Sequence, residues 1–570
     1  MELDVSLIRL NKERDMIYNY LGDVRGEEIF LPHIIKGFKI KKVRQNFMLH
    51  KGIVKLIIEE GYEEVGEHSF AGNSLRELHL PSTLKKVGNA AFSSGSIKDG
   101  SVPMKLVIAG DQFRFNKEFE KYGFDPRSLP GFKYIGVYGV LDHQLVAIHG
   151  PTRFLRDMTI PEGVEVIQSR LFDRRFKERD TSPIHAVKLP KTLKTIRNSA
   201  FDNNQIQELR CPEGLETIES SAFNSNIIHN LHLNNGLKKI DDSAFSNNNI
   251  SHLQIPPGMD YLSGFKENLI SQLDIPSVNT IGFWAFNNNN IYTLNLSDEI
   301  RKIGTGAFGN NNIEHLKLPE ELEEIGDSAF SDNAIQNIKI GSRLKHISRE
   351  AFKNNYLQSL NIPDNVSSIG RKAFSNNNIE SLSIPDGVEV VSDGAFYNNN
   401  LTEISFGNNL EYIGNTSSFS EAEGAFENNL LEEIEIPENV ELVSIRAFKD
   451  NKIRSVKLGI GLKKIGIEAF QNNHIKTVDF PDNLETIDDS AFVNNHLSSI
   501  KLNDGLKVIE KKAFMGNEIE EVIIPKSVEV IGNNAFKSQN RKLKRVIILG
   551  NEKRFNGQWE KIGFPKKLIP

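Results

Sequence analysis

Residues 374–395 read FSNNNIESLSIPDGVEVVSDGA, and near-copies of this 22-residue stretch fill most of the chain. A phenylalanine opens each copy, an asparagine follows three residues later, and aliphatic residues usually stand five, eight and ten residues after the phenylalanine. A fixed period in the twenties is the signature of a solenoid in which each repeat forms one coil. The clearest anchors are Phe201, Phe223, Phe245, Phe265, Phe286, Phe308, Phe330, Phe352, Phe374, Phe396, Phe426, Phe448, Phe470, Phe492, Phe514 and Phe536.

The Leu-x-Ile alternation in each copy, such as Leu382 and Ile384, predicts a strand of about three residues. Pro385 ends this strand because proline lacks the N–H that a sheet needs. Stacked copies would form a long parallel sheet over a buried ladder of Leu and Ile. A second apolar pair, such as Leu322 and Ile325, is expected to face the core from the opposite wall.

The asparagine three residues after each phenylalanine, as in Asn377 and Asn399, recurs in nearly every copy. A turn before a strand favours a side chain that bonds the backbone locally and tolerates the left-handed conformation. Stacked amides can also bond from coil to coil. We therefore expect this row to be structural rather than a binding site.

The unit from Ile362 to Asn377 reads Ile-Pro-x-x-Val-x-x-Ile-Gly-x-x-Ala-Phe-x-x-Asn, which resembles the BspA-type bacterial leucine-rich repeat family. The resemblance covers roughly residues 30–100 and 150–550. It agrees with the fold that the periodicity predicts, a leucine-rich-repeat solenoid made mainly of short parallel β-strands in 22-residue coils. It also implies a binding role, since members are often surface or secreted proteins that bind host or partner proteins.

Internal similarity predicts two capped arrays, one over residues 1–130 and one over residues 131–570. Residues 106–124 and 546–564 share Arg-Phe-Asn and Glu-Lys-x-Gly-Phe, so both are expected to be C-terminal caps in which Phe119 and Trp559 cover the last coil. Residues 7–20 and 136–148 look like hairpins that cover the open N-terminal edges.

Composition excludes several classes of protein. Lys plus Arg is 69 and Asp plus Glu is 75, and the net charge of -6 argues against nucleic-acid binding through bulk charge. The single cysteine excludes an internal disulfide and a Cys-only zinc site. No apolar run approaches the ~18 residues of a membrane span. The N-terminus lacks a basic region followed by an apolar one, so we predict a cytoplasmic protein, with a surface or secreted protein as the alternative.

Catalytic motifs are missing from the sequence. It contains no Gly-rich phosphate loop, no nucleophile elbow and no His-Glu-x-x-His. Its carboxylates fall at repeat positions, whereas a catalytic pair would break the pattern. We therefore predict a non-enzymatic protein without a cofactor or a metal.

The residues six, seven and nine positions after each phenylalanine flank the strand leucine and should point outward on the sheet face. They vary widely on an otherwise constant frame, which is typical of a recognition surface. The sequence therefore predicts a scaffold that binds a protein partner on the sheet face of the long array. The predicted partner-binding residues are His229, His232, His252, Tyr292, His315, Glu432, Glu433, Glu435, Arg454 and Lys457.

Other interpretations of these residues remain open. His229, His232 and His252 could converge on a metal, but no nearby carboxylate or thiolate completes the ligand set, which favours a polar surface. The glutamates at 432, 433 and 435 are either a docking patch for a basic partner or a charge balance with the next strand. For the whole protein, the alternatives are a surface adhesin-like protein that binds host or cell-surface components and a polysaccharide-binding protein. Exposed aromatic rows would favour polysaccharide, yet Tyr292 is nearly the only aromatic residue at the sheet-face positions.

Overall fold

The computed structural model describes residues 4–22, 24, 28–73, parts of 77–91, the strands at 105–108, 133–135, 138–141 and 144–148, and residues 156–174, 183–414, 422–539, 542–550, 555 and 558–568. By packing, the chain divides into two compact units, Met1–Phe223 and Asn224–Pro570. The array boundary predicted near residue 130 lies outside the described residues and stays a prediction. Each coil is named below by its phenylalanine.

Most described coils contain a front strand of three or four residues and a back strand that is usually two residues long. On the front face, the coils of Phe308 and Phe330 contribute only single bridges, at His315 and Asn337. In the coil of Phe374 the two strands are Ser381–Ser383 and Val390–Val391. The front strand buries Leu382 between two exposed serines, as its alternation predicts. Both strands pair in parallel with their counterparts in the neighbouring coils. The predicted parallel-strand solenoid is confirmed.

The first unit begins with the predicted hairpin, in which Ile8–Leu10 pairs antiparallel with Met16–Tyr20. The second predicted hairpin is also present, as Tyr138–Leu141 against Gln144–Ile148, with Lys133–Ile135 added on its outer edge. The remaining elements of this unit are the 3₁₀ turn Val5–Leu7, the antiparallel pair Ile34–Ile35 and Phe38–Lys39, the front strands Glu28–Leu31, Lys55–Ile58, Glu77–Leu80, Lys105–Ile108, Asp157–Thr159, Ala186–Lys188 and Glu208–Arg210, and the back strands Lys42–Val43, Glu64–Val65, Lys86–Val87, Val166–Ile167, Thr195–Ile196 and Thr217–Ile218.

The second unit repeats the same coil from residue 224 onward. Its front strands are Asn230–His232, Gln272–Ile275, Thr293–Leu296, Ser359–Asn361, Ser381–Ser383, Glu403–Ser405, Glu433–Glu435, Ser455–Lys457, Thr477–Asp479, Ser499–Lys501, Glu521–Ile524 and Arg545–Ile548. Its back strands are Lys239–Ile240, Met259–Leu262, Val278–Ile281, Lys302–Ile303, Glu324–Ile325, His346–Ile347, Ser368–Ile369, Val390–Val391, Tyr412–Ile413, Leu442–Val443, Lys464–Ile465, Thr486–Ile487, Val508–Ile509 and Val530–Ile531.

The phenylalanine side chains form a continuous stack along the core of the second unit. The ring centroids of Phe352 and Phe374 lie 5.5 Å apart, those of Phe374 and Phe396 lie 5.4 Å apart, and the rings are near-parallel. These side chains and the predicted second apolar pair, such as Leu322 and Ile325, are buried. Offset aromatic stacking adds to the burial of each ring, so the stack ties every coil to both neighbours.

The buried asparagines join each coil to the one before it. Nδ2 of Asn377 donates to the carbonyl oxygens of Phe374 and Phe352, and its Oδ1 accepts from the N–H of Leu357. The predicted coil-to-coil bonding is therefore present. The left-handed residue is Asn376, with φ 55°, so the prediction that the third residue after the phenylalanine takes this conformation is wrong. The preceding residue makes the turn, which leaves Asn377 free to point inward.

The C-terminal cap makes the same kinds of contact with the last coil as a further coil would, although it is a short helix. The helix Trp559–Ile562 buries Trp559, and the ring of Phe564 stacks 5.1 Å from that of Phe536. In a regular coil the N–H of the phenylalanine donates to the carbonyl of an alanine in the next coil, as that of Phe514 does to Ala535. In the last coil, the N–H of Phe536 donates instead to the carbonyl of Ile562 in the cap, at 3.1 Å. The ring that stacks on the last coil is that of Phe564, so the covering role of Trp559 stays a prediction, and Phe119 lies outside the described residues. The 3₁₀ turn Lys566–Leu568 follows.

Candidate functional site

The sequence-predicted contact residues are all exposed on the sheet face or at the entrance to its strands. His232 ends a front strand, and His315 bridges Thr293 and Asn337 in the neighbouring coils. Tyr292 is 48% exposed, and its hydroxyl accepts a hydrogen bond from Nε2 of Gln272 at 2.6 Å. Among the described residues, no group of three or more His, Cys, Asp or Glu side chains is placed to hold a metal ion. The histidines at 229, 232 and 252 therefore form no such group.

The acidic patch at residues 432–435 is largely neutralised by the next coil. Arg454 Nη1 lies 3.7 Å from Glu432 Oε2, and Lys457 forms an ion pair with Glu435. Glu433 pairs in register with Ser455 and makes no ion pair with any residue that the structure describes. The charge balance between neighbouring strands thus accounts for two of the three glutamates.

A shallow groove of about 530 Å³ opens on the front sheet across residues 338–405. Its floor consists of the inward aliphatic side chains Ile338, Leu360, Leu382 and Ile404. Leu382 is buried, but the other three are only half-buried. These side chains are reachable because the residues beside them are too short to cover them.

Short polar side chains form the walls of this groove. Oγ of Ser405 donates to Oγ of Ser383 at 3.0 Å, so the hydroxyls themselves are linked from coil to coil. Sequence reasoning missed the groove, although its signal was present: seven and nine residues after Phe352, Phe374 and Phe396, five of the six side chains are Ser or Asn. The wall residues are Ser359, Asn361, Ser381, Ser383, Glu403 and Ser405.

The strip of coils that contains the groove is strongly acidic. Residues 356–365, 378–387, 400–409 and 430–439 contain Asp and Glu but no Lys or Arg. Within the described part of the chain, Glu380, Glu403 and Glu433 have no ion-pair partner. The acidic residues of the strip are Asp364, Glu380, Asp386, Glu403, Glu432, Glu433, Glu435 and Glu438.

Basic residues bound this strip at both ends. Lys339 precedes it and pairs with Glu320 at 3.0 Å, and Arg454 and Lys457 follow it. The acidic strip that contains the groove therefore lies between basic residues that already form ion pairs with glutamates.

An exposed aromatic pair lies away from the sheet face, in the turn before the stacked ring of Phe286. Phe283 is 58% exposed and Trp284 is 46% exposed. Trp284 has φ 51°, an unfavourable conformation for a bulky residue, and Lys266 Nζ lies 5.7 Å from its ring centroid. A Cβ on Gly306 would come within 2.6 Å of the indole, so this glycine makes room for the ring. Sequence reasoning counted only the sheet-face positions and missed this pair.

A second polar cluster, formed by Lys372, Glu423, Glu427, Lys449 and Glu468, lies where the long coil after Phe396 ends and the regular repeat resumes. Glu423 bonds to Lys372 at 2.6 Å, passing over Gly394 in the coil between them. Glu427 accepts a hydrogen bond from the N–H of Gly424 at 2.8 Å, and burial raises the pKa of its carboxyl. Phe396 and Phe426 are 30 residues apart, so this coil is eight residues longer than the 22-residue repeat, and the sequence places the extra residues around Asn415 to Glu423. Of these, residues 415–421 lie outside the described residues.

Glu468, in the same cluster, shows the opposite effect. Burial works to raise the pKa of its carboxyl, but Lys449 at 2.8 Å and Arg446 at 2.9 Å hold it below the ordinary value.

The single cysteine, Cys211, is half-buried, and burial raises the pKa of its thiol to about 12. The thiol is therefore protonated at neutral pH, which is inconsistent with a nucleophile.

The repeat pattern, the two ladders of strands and the buried Phe and Asn rows agree with comparison to known families. The BspA type leucine rich repeat region matches residues 41–138, 151–264, 261–378, 323–423 and 421–543. The chain is a BspA-type leucine-rich repeat protein. This confirms the resemblance drawn from residues 362–377. No curated protein sequence gives a significant match.

Several solved structures are similar to this BspA-type protein. A leucine-rich repeat protein from Bacteroides ovatus is 19% identical, with a TM-score of 0.46 over 73% of this chain and 97% of its own. A leucine rich cell surface protein from Faecalibacterium prausnitzii is 18% identical, with a TM-score of 0.25 over 72% and 93%. YopM from Yersinia enterocolitica is 20% identical, with a TM-score of 0.33 over 68% and 90%. In the part of the BspA-type protein that the structure describes, no helix is long and apolar enough to cross a membrane.

Proposed function

We propose that this protein is a non-enzymatic scaffold that recognises a protein partner through the front sheet of its long array. The observation that carries the proposal is the groove at residues 338–405, an aliphatic floor left open by short side chains. Interfaces gain most of their binding energy where a few side chains enter desolvated pockets. A half-buried aliphatic floor offers such a place on a surface that is otherwise polar.

The frame around the groove supports recognition rather than catalysis. The groove residues sit on strands held by the stacked phenylalanines and the buried asparagines, so little conformational entropy is lost when a partner binds. Because all coils follow the same repeat, neighbouring front strands lie about 4.8 Å apart and hold their varied side chains at that fixed spacing. A partner is then read by several neighbouring coils together.

The test fills the groove without altering the frame. Ser383→Trp places an indole over the floor, and we expect it to abolish capture of the partner that cross-linking and mass spectrometry identify with the unaltered protein. Ser368→Trp, on the outward side of a back strand, is the matched control and should leave capture unchanged. Equal capture by both variants would exclude the groove as the contact.

The residues predicted from the sequence extend this proposal along the sheet. Alanine at Glu432, Glu433 and Glu435, or at His229, His232 and Tyr292, defines how far the contact reaches beyond the groove. A partner whose affinity is lowered by the first set but not by the second would bind across residues 338–457.

A further inference from the structure

We propose that the groove binds an extended segment of its protein partner that carries Lys or Arg side chains. This inference rests on the proposed function, because it names the kind of partner that the front sheet takes. It is argued from the shape of the groove, from its charge and from the pairing of the charges around it.

The shape of the groove suits an extended main chain. Apart from Glu403, its walls are serine and asparagine side chains over a run of three coils, and a serine hydroxyl can both donate to a carbonyl and accept from an N–H. Because these side chains are short, a peptide backbone can approach the sheet closely while its alternate side chains reach Leu360 and Ile404. A folded convex surface would instead meet the longer side chains on either side first.

The charge of the groove selects a basic segment. Glu403 lines the groove, Glu380 directly precedes the wall residue Ser381, and Glu433 lies on the next front strand. None of the three has an ion-pair partner within the described residues. The strip has no Lys or Arg of its own, so no cation within it lies beside these exposed carboxylates. Complementary charge across an interface gives specificity and speeds association, whereas like charge is rejected. An acidic segment or a nucleic acid would therefore be repelled.

The neighbouring charges set the limits of the site. Arg454 and Lys457 are already bonded to Glu432 and Glu435, so those two glutamates are not available without breaking an ion pair. Lys339 is held by Glu320 at the other end. Glu380, Glu403 and Glu433, which have no ion-pair partner among the described residues, thus lie on three successive coils, and a segment whose cations span these coils fits this arrangement. Tyr356, 56% exposed on the coil of Ser359, adds a ring that a guanidinium can stack against.

The experiment selects peptides on the intact protein. A phage-displayed library of random dodecapeptides is selected against the unaltered protein, with Ser383→Trp used to remove peptides that bind elsewhere. We expect the remaining peptides to be enriched in Lys and Arg. Failure to obtain any peptide, or enrichment of neutral or acidic sequences, would overturn the inference.

Matched variants then test the carboxylates. The enriched peptide, labelled with fluorescein, is titrated by fluorescence anisotropy against the triple variant Glu380→Gln, Glu403→Gln and Glu433→Gln, and its affinity should fall at least tenfold. The control is Glu389→Gln, Glu411→Gln and Glu529→Gln, which removes the same charge beside three back strands and should change affinity less than twofold. An equal loss in both would mean attraction by net charge alone and would overturn the inference.

The two proposals fail in different ways. A cross-linked partner lost with Ser383→Trp but retained by the triple glutamine variant would disprove the basic segment and leave the sheet-face function standing. A partner retained by both variants would disprove both proposals.

Discussion

At the scale of the residue, two adjacent asparagines in one coil can have different structural roles. In the coil of Phe374, Asn376 takes the left-handed turn and donates to Oδ1 of Asn354 at 2.7 Å, while Asn377 points inward. The sequence predicted both the turn and the bonding between coils. It could not assign them to one asparagine or the other, because both residues favour the left-handed conformation and both can bond the backbone.

The inward asparagine can be tested at Asn377. Asn377→Ala leaves the buried N–H of Leu357 without an acceptor, and an unsatisfied buried donor costs about 1–3 kcal/mol. We expect the amide of Leu357 to exchange with solvent faster by one to two orders of magnitude, measured by hydrogen exchange. Asn378→Ala, one residue later and half-buried, is the control and should leave the rate nearly unchanged. Equal rates in both variants would mean that the amide ladder is not needed for the protection.

Charge pairing shows the same limit of sequence reasoning. The sequence left two meanings open for Glu432, a docking patch or a balance with the next coil. Arg454 lies close enough to pair with it, which favours the balance with the next coil. Glu433, the adjacent residue, pairs in register with Ser455 and has no ion-pair partner among the residues that the structure describes. Which charge is available depends on the register between coils, and the register is visible only once the strands are aligned.

At the scale of the element, the sequence predicted single strands well and their joint surface poorly. In the described coils, most of the positions six, seven and nine residues after the phenylalanine are exposed, and the alternation of the strand accounts for positions seven and nine on either side of the inward leucine. The groove, however, exists only because three successive coils carry short residues together. A pattern that spans coils cannot be seen in any one copy, and Phe283 with Trp284 was missed because the pair lies in a turn.

The joint after the long coil gives a pH-dependent prediction at this scale. The pKa of Glu427 in the folded protein lies above its ordinary value of 4.5, so its neutral form is the one that the fold favours. Its stabilising contribution is present below pH 4.5 and is lost as the pH rises through the raised pKa. Glu427→Gln stays neutral throughout. We expect its thermal unfolding midpoint to exceed that of the unaltered protein at pH 7.5 and to converge with it at pH 4.

Glu468 supplies the control of opposite sign. Its pKa is lowered, so its carboxylate stabilises the fold above pH 4.5 and loses this effect as the pH falls through the lowered pKa. Glu468→Gln should therefore lower the midpoint at pH 7.5, with a difference that shrinks toward low pH. Nζ of Lys449 lies 3.9 Å from Oε1 of Glu427, and a lower midpoint for Glu427→Gln at pH 7.5 would show that this ion pair outweighs burial.

At the scale of the whole molecule, stability in a repeat array is passed between neighbouring coils. The fold class and the C-terminal cap were predictable because each is written as a repeated or duplicated stretch of sequence. The limits of the packing units were not, since every coil from Phe201 to Phe245 shows the same pattern. Nothing in that pattern distinguishes Phe223 as the end of a unit.

The cap provides the prediction for this scale. Trp559→Ala with Phe564→Ala removes the ring on Phe536 and leaves the end of the core uncovered. Because each coil contacts mainly its neighbours, we expect faster hydrogen exchange in the coils of Phe514 and Phe536 and unchanged exchange in the coil of Phe374. Phe283→Ala, at an exposed aromatic residue, should alter neither region. A uniform change along the unit would instead show that it unfolds as one cooperative body.

The direction of the buried hydrogen bonds bears on how the chain is made. The N–H of Phe352 bonds to the carbonyl of Ala373, and the N–H of Leu357 bonds to the side chain of Asn377, so each coil depends on groups supplied by the coil after it. A ribosome delivers these coils one at a time, starting from the N-terminus. The most recently emerged coil is therefore always incomplete until about 22 further residues have left the exit tunnel. Translation pauses should then expose one coil at a time, and the series closes only after cap residues 559–564 have emerged.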